Sequence, residues 1–307
     1  MLLFQWGCVS LYSMKFRSVI AGFCGALLAV SVQAAEVWAP GVSRDGGWYD
    51  YNKAVINDGA MADTAMCWAA SASNVISWWT DRNAASITSS QPSADPWEVF
   101  RTVYYNVGGT PTQALNWWIN GVGTDQYGVP DYPDTMDFSV EGKDNAEWYN
   151  GGFLKGDYDT GKYTTGFPSL LEESSPGQLY AFTGSIVNAL TSGYALSISV
   201  RNSGLAHAYT LWGVEYHTTD SGNYIITKAW LTDSDDGKAT AWEPTLVEKA
   251  VMCTEKEIGS TVCFDEQFGA SWRYVTGMRS EPLIPEPSTA VLGALALAAL
   301  AARRRRA

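Results

Sequence analysis

Residues 35–285 hold three cysteines, Cys67, Cys253 and Cys263, and two histidines, His207 and His217, so any thiol–imidazole chemistry is drawn from a short roster. A thiol acts as a nucleophile when its thiolate is favoured, which the unpaired N–H groups and dipole of a helix start can do. Cys67 stands at such a start, with Ala69, Ala70 and Ser71 behind it and Val75, Ile76 and Trp79 further along. A lone cysteine on an apolar helix is more often an inert buried thiol. What lifts Cys67 above that is His207, which follows it by 140 residues and opens an apolar strand. A thiolate enzyme takes its base from such a distant segment. His217 follows Tyr216 at the far end of the same strand before a polar turn, a solvated position. An imidazolium also needs an acceptor on its second nitrogen. Asp233 and Asp235 end the next strand, and antiparallel pairing across Ser221-Gly222-Asn223 returns them toward His207. A calcium loop starting at Asp233 fails, because its twelfth position is Pro244 instead of a bidentate Glu.

The elements that must position these groups are legible in the pattern. Apolar spacing predicts a buried helix over residues 67–80. Asp95-Pro96-Trp97-Glu98 opens a second helix, with Asp as its N-cap and Pro at its first position. Residues 111–119 predict a third, stopped by Asn120-Gly121, and residues 176–192 a fourth. The stretch 121–166, dense in Gly, Asp, Tyr and Pro, reads as long surface loops suited to substrate contacts. After Gly193 the period changes to that of strands, over 195–200, 206–216, 224–233 and 271–276. Helices followed by an antiparallel sheet is the α+β order, and the core shows no internal repeat.

Both ends read as processing signals. Residues 1–34 form a signal peptide: an apolar run behind Lys15 and Arg17 ends in Val32-Gln33-Ala34, with Met14 an alternative start. Residues 285–307 begin Pro285-Glu286-Pro287-Ser288, continue through a short apolar stretch and end in Arg303 to Arg306. Fourteen apolar residues are few for a spanning helix, and the arginines suit a retention signal read before cleavage. Residues 35–284 are then one folded domain. Residues 35–285 carry 14 Lys and Arg against 31 Asp and Glu, a net charge of −17. Such a surface repels nucleic acid and anionic lipid. In an oxidising compartment the nearby Cys253 and Cys263 could close a hairpin disulfide, leaving Cys67 as the odd thiol.

The tail resembles the PEP-CTERM sorting signal of Gram-negative bacteria, which implies export, transient inner-membrane retention and trimming by an exosortase, with a cell-surface or extracellular destination. The domain resembles the Mac/IdeS family of papain-superfamily cysteine endopeptidases, which cut immunoglobulin G near its hinge. The matching pieces are Gly47-Trp48-Tyr49-Asp50 with Lys53, Cys67-Trp68-Ala69-Ala70 through Asn74 to Trp78-Trp79, and Ile119-Asn120-Gly121. They continue with Gly151-Gly152-Phe153, His207 followed by Leu211-Trp212-Gly213, and Thr232-Asp233-Ser234-Asp235. The resemblance implies a papain-like fold, with a helical part carrying the nucleophile packed on a C-terminal antiparallel sheet. It also implies that Cys67 attacks the carbonyl, His207 relays the proton, Asp233 orients His207, and Asp235 supports the site. Lys53, with the Cys67 backbone N–H, would stabilise the oxyanion. Neither cofactor nor metal is called for, and the partner is a protein substrate. A surface adhesin or glycan-binding module is the competing reading, motivated by the many aromatics. An acyl-transferring, transglutaminase-like or amidase enzyme on the same fold is another.

Overall fold

The computed structural model describes residues 34–53, 63–104, 106–121, 148, 150–158, 176–201, 206–235, 245–254, 261–264 and 271–280. The leader, the sorting tail and most of residues 121–166 lie outside them. Strand β1, Ala35–Trp38, comes first. Helix α1, Cys67–Asn83, follows and is buried on nearly every side. The small residues of its first turns are what permit this. Ser71 Oγ lies 2.8 Å from both Ser197 Oγ and the Tyr209 carbonyl, so the helix backbone sits hard against two strands. Its tryptophans place their polar edges on backbone: Trp68 Nε1 donates to the Val107 carbonyl at 2.9 Å and Trp79 Nε1 to that of Arg279 at 3.0 Å. Each fully buried large side chain of this kind contributes on the order of 1.5–3 kcal/mol.

Helix α2, Pro96–Tyr104, has the expected cap, the Glu98 N–H donating to Asp95 Oδ1 at 2.8 Å. Helix α3, Pro111–Asn120, is opened by a reciprocal Thr110–Gln113 capping box, worth about 1 kcal/mol. Gly151 and Gly152 lie against its last turn. Gly151 has φ +58°, and a Cβ there would sit 2.5 Å from the Trp117 carbonyl oxygen. The expectation of surface loops after residue 121 is corrected for the described part, since Trp148, Phe153, Leu154 and Tyr158 are buried in the core. Helix α4 is Pro176–Thr191.

The strands after α4 are β2 Tyr194–Arg201, β3 Ala206–Thr218, β4 Tyr224–Thr232, β5 Val247–Thr254, β6 Thr261–Phe264 and β7 Ser271–Arg279. All pair antiparallel, in the order β1-β3-β2-β7-β6-β5-β4. The pairing of β3 with β4 closes β2 to β7 into a ring. The long strand β3 makes this possible, pairing with β2 through residues 206–211 and with β1 through residues 213–216. Gly213 lets Trp38 lie flat on β3, where a Cβ would come 2.6 Å from the indole. The architecture is α+β, as the order of sequence patterns implied. Among the described residues no helix is long and apolar enough to cross a membrane.

The register also settles the two nearby cysteines. Cys253 is opposite Val262, and Cys263 is opposite Met252, so the two side chains emerge on opposite faces of the β5–β6 ribbon. All three described cysteines are free thiols.

Candidate active site

Cys67 is the first residue of α1, and its N-cap, Met66, supplies no side-chain cap. The positive end of the helix dipole therefore lies at the thiol's end, where a negative charge is favoured. His207, the second residue of β3, is buried, and the β2–β3 layer beneath α1 brings it into side-chain hydrogen bonding with Cys67. Its Nε2 lies 2.7 Å from Asp233 Oδ1, which leaves the other ring nitrogen for the thiol. Tyr209, two residues along β3, packs edge-on against the imidazole at 4.6 Å and restrains its plane.

The electrostatics follow from this chain of contacts. Burial alone would lower the His207 pKa, but the hydrogen bonds to Asp233 and Cys67 and their charges overcome it and raise it to about 9. Burial alone would raise the Cys67 pKa. Against it stand the hydrogen bond and charge of His207, the charge of Lys53 and the Ala208 backbone N–H, and the thiol is held below its ordinary range. Both shifts favour the same species, a thiolate beside an imidazolium.

Asp235 does not duplicate Asp233. Its backbone N–H donates to Asp233 Oδ1 at 3.0 Å, and its own Oδ1 lies 2.5 Å from Lys53 Nζ. Lys53 also donates to the Thr64 carbonyl at 3.0 Å, and its backbone N–H holds the Ser234 carbonyl at 2.8 Å. The lysine is thus buried and tied to the turn before α1 and the turn after β4, with its charge reaching Cys67. The five residues named from the sequence, Cys67, His207, Asp233, Asp235 and Lys53, converge on one end of α1.

Two further groups hold them and were not singled out as site residues from the sequence. Asn74, buried one and a half turns or more into α1, accepts the Tyr51 N–H at 2.8 Å and donates to the hydroxyls of Thr210 and Thr232. It bolts the segment 47–53 to α1, β3 and β4. The carboxyl of Asp50 in that same segment accepts the Thr245 N–H at 2.8 Å. Both belong to the sequence motifs named above; their partners lie far along the chain, which leaves no local sequence signal.

His207, Asp233 and Asp235 bring their ligand atoms within 4.8 Å of one another, a set that could in principle hold a metal ion. The Lys53 ammonium on Asp235 and the imidazole on Asp233 already supply the positive charge there, which disfavours a cation. At the other end of α1, about 20 Å along the helix, open cavities of about 510 and 350 Å³ flank the hydrogen bond between Tyr49 and Asp81. They are remote from Cys67.

Residues 33–91, the segment containing Lys53, Cys67 and Asn74, match the Mac 1 family model. The chain resembles the Mac family. Residues 283–306 match the PEP-CTERM protein-sorting motif, so the tail is a sorting signal of that type. An IgM protease of Streptococcus suis (strain P1/7) is 24% identical over 221 residues, covering 62% of this chain. The chain spans only 18% of the length of that relative, which is a far larger protein.

Proposed function

We propose that the protein is an exported cysteine endopeptidase with a papain-like arrangement, in which a helix carries the nucleophile and a barrel strand carries its base. The observation that supports it most is the continuous chain from the Cys67 thiol through His207 to Asp233, with Nε2–Oδ1 at 2.7 Å. The Cys67 thiolate attacks the scissile carbonyl carbon, forming a C–S bond and a tetrahedral oxyanion. The Cys67 backbone N–H and the Lys53 charge stabilise that oxygen. His207 gives its proton to the leaving amine as the C–N bond breaks, leaving a thioester. His207 then takes a proton from water as it attacks the thioester, and the thiolate departs with an acid product.

The likeness to an IgM protease makes an immunoglobulin the first substrate class to try. Incubation of the purified exported protein with IgM, IgG and unrelated proteins is expected to yield discrete fragments with chelator present, and none from Cys67→Ala. Intact substrates throughout would sink the peptidase reading. Residues 1–34 are read as the leader, 35–284 as the peptidase domain and 285–307 as the tail an exosortase trims after inner-membrane retention, releasing the domain at or beyond the cell surface. Intact-mass measurement of the exported protein checks those boundaries.

A further inference from the structure

Asp50 lies on the segment that carries Lys53, and the backbone of that segment runs along the catalytic turn. The Tyr49 carbonyl accepts the Thr232 hydroxyl at 2.9 Å, and the Lys53 N–H donates to Ser234 at 2.8 Å. Between these two ties, Asp50 Oδ2 accepts the Thr245 N–H at 2.8 Å and the Asn52 side-chain N–H at 3.3 Å. The segment therefore grips the chain at both Ser234 and Thr245, on either side of Asp235. Asp50 Oδ1 is the odd atom of this clamp, buried and, among the described residues, without a hydrogen-bond partner. A buried carboxylate oxygen with no donor is costly, and protonation at that atom relieves the cost. The charge that reaches Asp50 is that of Asp233 at the end of β4; Lys53, three residues on, is engaged by Asp235.

We propose that Asp50 is a positioning residue that acts as a proton-sensitive clamp on the Cys67–His207 pair. As a carboxylate it holds Thr245 and so steadies the turn that keeps Asp233 on the imidazole, which favours the imidazolium–thiolate pair. On taking up a proton at Oδ1 it weakens the clamp, so acidification lowers thiolate reactivity before the pair itself titrates. Burial raises the Asp50 pKa against the pull of the Thr245 and Asn52 N–H groups, and the Asp233 charge adds to the rise, to about 6. The switch is therefore set at mildly acidic pH. This inference rests on Cys67 and His207 being the working pair, and not on any particular substrate.

The rate of Cys67 alkylation by iodoacetamide, measured by peptide mass spectrometry from pH 4.5 to 8.5 on the full-length exported protein, needs no substrate. The parent profile is expected to show a step near pH 6, with roughly threefold to tenfold lower reactivity below it, as a loosened Asp233–imidazole contact would give if it shifts the thiol by up to about one pH unit. Asp50→Asn should remove the step and hold reactivity at the low plateau. Asn52→Ala, which deletes a donor to the charged form, should move the step to higher pH. A parent profile flat between pH 5 and 7, or a step unchanged in Asp50→Asn, overturns the proposal. Should Asp50→Asn not fold, a step that stays in place in Asn52→Ala overturns it instead. Slow alkylation of Cys67 at every pH sinks the thiolate reading along with it, whereas fast but flat alkylation sinks only the role of Asp50.

Discussion

Cys67 and Cys253 are both half-buried thiols, one at the start of α1 and the other on the inner face of β5, and they are pushed in opposite directions. Burial raises Cys253 to about 11, the Cys263 thiol adds to the rise, and only a backbone contact at Ile226 opposes it. Cys67 meets the same desolvation, but His207, Lys53 and a backbone N–H face it. Burial is therefore common to both sites, and the charged partners decide which thiol is reactive.

The comparison breaks first on the thiols themselves. Cys67→Ala is expected to abolish hydrolysis, whereas Cys253→Ala leaves turnover within about twofold, because Cys253 touches neither the reacting atoms nor the groups that hold them. Fragment yield on gels for matched protein concentrations reads both. Next is the group that makes the two environments differ. Asp233→Asn should reduce kcat by roughly 10- to 1000-fold, less than the serine-triad equivalent because a thiol depends less on its base. It should also move the alkaline limb of the rate profile. His207 is raised to about 9, so the parent loses its imidazolium as pH rises through about 9, and the variant should lose it at lower pH. An unchanged limb would remove Asp233 from the mechanism.

Lys53→Ala should lower kcat about tenfold to 100-fold with a smaller change in KM, below the full value of a dedicated oxyanion donor because the ammonium is shared with Asp235 and Thr64. Asp235→Asn should cost roughly threefold to tenfold, since it releases Lys53 without touching the imidazole. Equal losses in the two aspartate variants would mean that the carboxylates share one role. The smallest effect sharpens the Cys253 side: adding reductant should leave the Tm unchanged within about 1 °C, because no bridge constrains the unfolded chain. A marked fall in Tm would restore the hairpin disulfide.

Much of this was readable in the sequence for definite reasons. Small residues behind Cys67, Asp95 before Pro96 and Gly121 after Asn120 are local signals of helix ends, and each lies where the helix begins or stops. Strands β2, β3, β4 and β7 carry long apolar runs. Strand β1 has four residues, and β5 has the adjacent charges Glu248 and Lys249 near its start, so neither rises above its surroundings. The spacing of Cys253 and Cys263 suggested a bridge, but the face on which a strand residue emerges is fixed by register, and a one-residue shift reverses it. The tie from Lys53 to Asp235 spans most of the chain and has no local signature.

The ring of strands is unevenly closed. Among the described residues β6 and β7 share a single register pair, Cys263 with Ser271, whereas β2 and β7 are matched from Tyr194–Arg279 to Arg201–Ser271. Cooperative units of a protein open where few backbone bonds must break. Amide hydrogens of β6 should therefore exchange with deuterated solvent well before those of β2, β3 and β7, and the barrel should unzip along this seam as a slit. Phe264 of β6 packs on Tyr209, which in turn packs on the His207 imidazole, so a molecule breathing along this seam loosens the ring contact that restrains the base.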